Sequence, residues 1–211
     1  MTIIFDLDGT LLYTLEDLRD ALNHTLKQFG YNEVSLDTTK KLVGNGIKNL
    51  ILDASKDEQH IDLMFEEFKR YYEIHCIDKT LPYVGMVKLI YSLKNDGHTL
   101  VCISNKHYIT LTKLIEYFFP NQFDLILGDG MGYPKKPNPN IIYACMEKLN
   151  KKSDDLVYIG DSDVDANTII NASIKGILVS YGYRDKELLL KFGLPIVDNV
   201  SLLEEMINRI K

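Results

Sequence analysis

The chain has 211 residues, 45% of them hydrophobic, with a formal net charge of −6. That length supports one substantial core, or a core with a smaller inserted unit, and the acidic balance argues against a general nucleic-acid or anionic-membrane surface. No apolar run reaches membrane-spanning length. Three scattered cysteines, Cys76, Cys102 and Cys145, read as reduced core residues of a cytoplasmic protein, and the chain enters a strand at once, with no signal peptide in view. The first strand is Ile3-Ile4-Phe5, and it runs directly into Asp6-Leu7-Asp8-Gly9-Thr10. Alternation sends Asp6 and Asp8 to the same side, and Gly9 permits a close turn after them. Two carboxylates at the end of a buried strand are costly without a compensating positive charge. A divalent cation supplies it; a solvated Asp-Gly turn is the plain alternative.

Helical patterning follows without interruption. Thr14 is placed to cap a helix carrying Leu15, Leu18, Leu22 and Leu26, and Ser35 to cap a second through Val43. After the loop Val43-Gly44-Asn45-Gly46-Ile47-Lys48 come a short helix, Asn49 to Ala54, and a longer one, from about Asp57 to Cys76. From Pro82 the pattern becomes alternating: helix Val87–Lys94, strand Thr99–Ile103, helix Tyr108–Phe118, strand Phe123–Leu127, helix Asn140–Leu149, strand Leu156–Ile159, helix Val164–Ala172, strand Gly176–Ser180. A short helix (Lys186–Phe192), a last short strand (Ile196–Val197) and a helix opened by Ser201-x-x-Glu204 complete the chain. Alternation of this kind implies a parallel sheet covered on both faces. The helical stretch after the first strand, about 65 residues, is too long for an ordinary connection. The expected architecture is α/β: a core domain of 1–13 and 82–211 and an inserted all-helical domain of 14–81, joined at hinges near Thr14 and Leu81.

Three further segments fall at strand ends, where open α/β sheets bind ligands: Cys102-Ile103-Ser104-Asn105-Lys106, Lys135-Lys136-Pro137, and Gly160-Asp161-Ser162-Asp163-Val164-Asp165. Singly, each has a bland reading as a turn, a helix cap or a solvated loop. None of the five histidines has metal-ligand spacing. Together with Asp6-Leu7-Asp8-Gly9-Thr10, the segments resemble, in order, the four motifs of the haloacid dehalogenase-like hydrolase superfamily.

That resemblance implies a Rossmann-like parallel sheet and a helical cap, and assigns roles by position. Asp6 is the expected nucleophile and Asp8 the general acid and base; an acid at Asp8 speaks for phosphate rather than dehalogenase chemistry. Ser104, Asn105 and Lys136 are expected at the phosphoryl group. Mg²⁺ is expected on Asp6, the Asp8 carbonyl and Asp161, with Asp165 behind it. Within the superfamily the chain resembles the phosphoglycolate phosphatase-like group, with Gly44, Asn45, Gly46 and Lys48 as the corresponding cap substrate loop; Tyr13-Thr14 and Lys48 depart from that group's usual pattern. The expected function is hydrolysis of a small phosphorylated metabolite through an aspartyl-phosphate, in a monomer or homodimer with no nucleic-acid or membrane partner. A sugar-phosphate mutase of the β-phosphoglucomutase type and a non-catalytic phosphate-binding regulatory module are the alternatives.

Overall fold

The computed structural model describes residues 1–210. In chain order the elements are β1 (Thr2–Phe5), β2 (Leu12–Tyr13), α1 (Leu15–Gln28), α2 (Leu36–Leu42), α3 (Ile47–Ser55), α4 (Ile61–His75), β3 (Leu81–Pro82), α5 (Met86–Asn95), β4 (Thr99–His107), α6 (Tyr108–Phe118), β5 (Leu125–Asp129), α7 (Asn140–Leu149), β6 (Leu156–Gly160), α8 (Asp163–Ala172), β7 (Lys175–Val179), α9 (Lys186–Leu189), β8 (Ile196–Val197) and α10 (Val200–Arg209).

Six strands form one parallel sheet in the order β5-β4-β1-β6-β7-β8. β1 is central, with Ile3 opposite Leu100 on one side and Val157 on the other. Its alternation divides the core between the two faces. Ile3 and Phe5 pack with Leu89 of α5, Leu114 of α6 and Leu203 of α10. Ile4 packs with Ile142 of α7 and Ile169 of α8. A central strand apolar on both faces has to be covered by helices on both, and this one is.

Helices α1 to α4 lie between β2 and β3 in the chain and pack on one another. Leu22 and Leu26 of α1 share a buried cluster with Met64, Phe68 and Tyr72 of α4 and with Leu50 and Ile51 of α3. The two joins lie side by side: β2 and β3 pair antiparallel, Leu12 opposite Pro82 and Tyr13 opposite Leu81. A ladder of two residues is too short to leave a pattern in the sequence, and Pro82 disguises it further.

Three local expectations differ from the structure. Ser35 caps α2 as expected, accepting from Thr38 N, but the Thr14 hydroxyl caps nothing, because it donates to Asp8 instead. The last helix is capped by Asn199, which accepts from Leu202 N, so it starts earlier than Ser201. β4 runs to His107, and its ladder with β5 breaks register between Ile103 and His107. Such an irregularity re-aims side chains, and it falls on Ser104-Asn105-Lys106.

Candidate active site

The carboxyl ends of β1, β4 and β6 converge on one cleft. Its core-side lining includes Asp6, Asp8, Ser104, Asn105, Lys106, Lys136 and Asp161; Leu18, Val43, Gly44, Gly46, Ile47 and Leu50 close it from the helical layer. The cavity volume is about 50 Å³, room for a few waters, so this closed arrangement admits short ligands only.

Asp6 and Asp161 carry the first unsolved charge problem. Both are buried. Burial, together with Asp165 and Asp8, raises the Asp6 carboxyl to about 7 against the opposing pull of Lys136. Burial raises Asp161 well above the usual carboxylate range, and Asp165 and Asp6 push it in the same direction. Asp161 is held by Tyr183 N at 2.6 Å and by the Thr10 hydroxyl at 3.3 Å. Gly9 is a geometric requirement here: its φ of 84° is left-handed, and a Cβ would lie 2.2 Å from Asp161 Oδ2.

Lys136 and Asp165 form the buried foundation. Lys136 Nζ lies 2.7 Å from Asp165 Oδ1, 2.7 Å from the Tyr158 hydroxyl and 3.0 Å from Asp6 Oδ1. Burial opposes the Lys136 charge, but Asp165 and Asp6 hold its pKa above the ordinary lysine value. Asp165 is fully buried and its second oxygen accepts from Asp161 N, Ser162 N and the Ser162 hydroxyl. With Ser162 accepting in turn from Asp165 N, this is a reciprocal cap on α8. Asp165 is therefore both a helix cap and the counter-ion of Lys136, which keep its carboxyl below the usual range despite burial.

A cation fits this chemistry. Asp6, Asp161 and Asp165 offer carboxylate oxygens within 4.8 Å of one another. Asp6 Oδ1 is buried and accepts no aligned hydrogen bond, although Lys136 is near. Three carboxylates against the single Lys136 ammonium leave an excess of negative charge, and hard oxygen donors beside it suit a hard divalent ion. Asp165 already accepts five hydrogen bonds on its two oxygens, against one on each oxygen of Asp161 and none on Asp6 Oδ1, so Asp6 and Asp161 are the freer donors.

Asp8 also lines the cleft. It accepts from the Thr14 hydroxyl at 2.6 Å and from Lys106 Nζ at 2.8 and 3.0 Å. The sequence left Lys106 without a role. It is nevertheless buried, and its ammonium lies 4.7 Å from the centre of the Tyr72 ring of α4. The irregular end of β4 is what turns it inward, and only its place beside Ser104-Asn105 hinted at this.

The remaining expected residues separate into two groups. Ser104 is buried in the cleft wall. The Asn105 side chain is engaged as a clamp: it donates to the carbonyls of Gly44 and Lys136 and accepts from Lys136 N. Gly44 and Gly46 reach the cleft, whereas Asn45 and Lys48 are not in its lining. Lys48 pairs with Asp62 at 2.6 Å on an exposed surface and lies over the Phe65 ring, so the structure does not bring it to the site. Arg184, which the sequence did not single out, ties the layers together. Its guanidinium donates to the carbonyls of Lys40 and Val43 on the helical side and to Asp163 on the core side.

With this geometry in hand, the comparisons are decisive at the level of family. The model of the haloacid dehalogenase-like hydrolase family matches residues 3–179. The chain belongs to the haloacid dehalogenase-like hydrolase family. Similar proteins include phosphoglycolate phosphatases of Aquifex aeolicus, 31% identical over 86% of this chain and 85% of that one, and of Agrobacterium fabrum, 32% identical over 95% and 89%. A crystal structure from Lactobacillus delbrueckii subsp. bulgaricus, named there as a candidate phosphoglycolate phosphatase, superposes with a TM-score of 0.89 at 33% identity, covering 98% of this chain and 97% of that one. The family resemblance of the four motifs and the expected α/β fold both hold. Among the described residues no helix is long and apolar enough to cross a membrane.

Proposed function

We propose that this member of the haloacid dehalogenase-like family is a Mg²⁺-dependent, cytoplasmic phosphomonoesterase for small phosphorylated metabolites of the 2-phosphoglycolate kind. The observation that carries the reading is the juxtaposition of Asp6, Lys136 and Asp161 at the sheet's carboxyl edge, under a helical layer that leaves space for a short ligand only. In this reading residues 14–81 are a cap over a core of 1–13 and 82–211. The bridges from Arg184 and Asn105 to the Lys40–Gly44 carbonyls support closure at the cleft.

Asp6 attacks phosphorus, forming an aspartyl-phosphate and breaking the ester P–O bond. Protonated Asp8 gives its proton to the leaving alcohol. Asp8 then takes a proton from the water that attacks the acyl-phosphate, returning Asp6 as carboxylate and releasing inorganic phosphate. Lys136 Nζ and the Ser104 hydroxyl hold the phosphoryl oxygens. Asp6, Asp161 and the Asp8 carbonyl would hold Mg²⁺, with Asp165 behind them. When bound, the ion supplies charge neutralisation between the Asp6 carboxylate and the anionic phosphoryl group. Thr14 and Lys106 orient Asp8, and the apolar cap wall of Leu18, Val43, Ile47 and Leu50 excludes bulk water.

The test is phosphate release from a panel of small phosphometabolites with and without Mg²⁺. Mg²⁺-dependent release from 2-phosphoglycolate, absent in Asp6→Asn, is expected. Failure of every phosphoester to yield phosphate would refute the reading.

A further inference from the structure

Among the described residues, three cationic side chains line the cleft: Lys106, Lys136 and Arg184. Lys136 stands beside Asp6, between Tyr158 and Asp165, at the end where the phosphoryl group is handled. Arg184 is already engaged by two cap carbonyls and Asp163. Lys106 differs from both. Its ammonium bonds to a single group, the Asp8 carboxylate, through both oxygens, and its remaining face lies on the Tyr72 ring. The hydroxyl of that ring is buried and has no hydrogen-bond partner among the described residues. A lysine ammonium has three donors, and a contact with a ring face leaves one of them able to turn toward a stronger acceptor.

Position gives this cation a meaning. On the reading above Asp8 meets the leaving oxygen, so its partner Lys106 lies on the leaving-group side of phosphorus. The walls there are apolar: Leu18, Val43, Ile47 and Leu50. Among the described residues the cap contributes no cation to the lining, and Lys48 is held outside by Asp62. Lys135 is paired with Asp129, and its ammonium sits under Gly46, 2.7 Å from where a Cβ would be, outside the cleft lining.

We propose that Lys106 is the specificity-determining residue for the leaving group: it receives a carboxylate carried one or two carbons from the ester oxygen, so that the site selects short phosphoesters bearing a second anion. The proposal rests on the phosphatase reading and deepens it. Asp8 and Tyr72 hold the ammonium in place. A substrate carboxylate then shares it with Asp8, in a pocket where a charge-assisted hydrogen bond is stronger than in water. A neutral hydroxyl or methyl at the same place gains much less.

The experiment compares kcat/KM for 2-phosphoglycolate with that for 2-hydroxyethyl phosphate, a neutral-ended analogue of the same length, in wild type, Lys106→Met and Lys135→Met, all with Mg²⁺. Wild type and Lys135→Met are expected to prefer the carboxylate by about tenfold to a hundredfold, the range of one charge-assisted hydrogen bond. Lys106→Met is expected to bring the two substrates within about threefold of each other. A merely structural role, including support of Asp8, would depress both substrates alike and leave the preference standing, which overturns the proposal. Should Lys106→Met fail to fold, wild type alone decides through inhibition. 3-Phosphonopropionate must bind at least about tenfold more tightly than propylphosphonate, and equal inhibition overturns the proposal. Absence of phosphate release from any ester refutes the phosphatase reading itself. Release without a carboxylate preference refutes only the role of Lys106.

Discussion

Gly182 offers the sharpest test of how tightly the site is built. A Cβ added there would lie 2.3 Å from Asp161 Cβ, 2.4 Å from Asp161 Oδ2 and 2.5 Å from the Gly9 carbonyl oxygen. The residue is not among those with positive φ, so Gly182→Ala adds a steric load without backbone strain. The load falls on two motif segments at once, and the neighbouring Tyr183 N–H is the donor that holds Asp161. Restoring ordinary carbon contacts of about 3.5 Å requires movement of roughly 1 Å. Overpacking of this kind costs about 1–3 kcal/mol. For a chain of this size that lowers Tm by roughly 2–12 °C. A displacement of about 1 Å at reacting groups reduces turnover about a hundredfold, so activity should suffer much more than stability. Gly97→Ala is the control: Gly97 has a φ of 78° and nothing within 4 Å of the added atom. It should cost about 1–2 kcal/mol of backbone strain and leave kcat/KM intact. The assays are thermal denaturation and kcat/KM on the best small phosphoester. Wild-type kcat/KM in Gly182→Ala would refute the argument that this loop fixes Asp161.

Burial of Asp6 makes a second prediction. Its carboxyl is raised from 3.8 to about 7, so between those values the native state keeps a proton that the unfolded chain releases. Metal-free stability therefore falls as pH rises through that window, by up to about 4 kcal/mol from this group. Denaturant midpoints of metal-free wild type, relative to Asp6→Asn, should decline from pH 4 to pH 8, and Mg²⁺ should stabilise wild type more at pH 8 than at pH 5; a flat difference would count against a carboxyl whose burial outweighs its Lys136 partner. Arg184→Met removes the donors to Lys40 and Val43 and should raise KM severalfold while hastening amide exchange in α2, whereas unchanged exchange would show that the guanidinium does not hold the cap. Tyr158→Phe strips a hydroxyl from Lys136 and Asp165 and should lower stability by about 1–3 kcal/mol, read by urea denaturation; a neutral effect would mean the ion pair needs no third partner.

The sequence alone carried the parallel sheet, because its strands are buried on both faces and each is followed by a helix with its own apolar stripe. It also placed Asp6 and Asp161 directly after strands, because local order fixes which residue follows a strand. Tertiary structure decided everything that depends on distant segments meeting. The β2–β3 pair joins residues about seventy apart through a ladder too short to leave a pattern. Asp165 is equally legible as a helix cap or a charged site residue; only the approach of Lys136 and Tyr158 makes it both. Lys48, beside two glycines of the cleft loop, is turned outward by its helix and taken up by Asp62. Lys106, in a stretch that reads as following a strand rather than continuing it, is turned inward by the break in the β4 ladder. A side chain's direction at a helix start or an irregular strand end depends on what packs against it, and neither composition nor spacing records that.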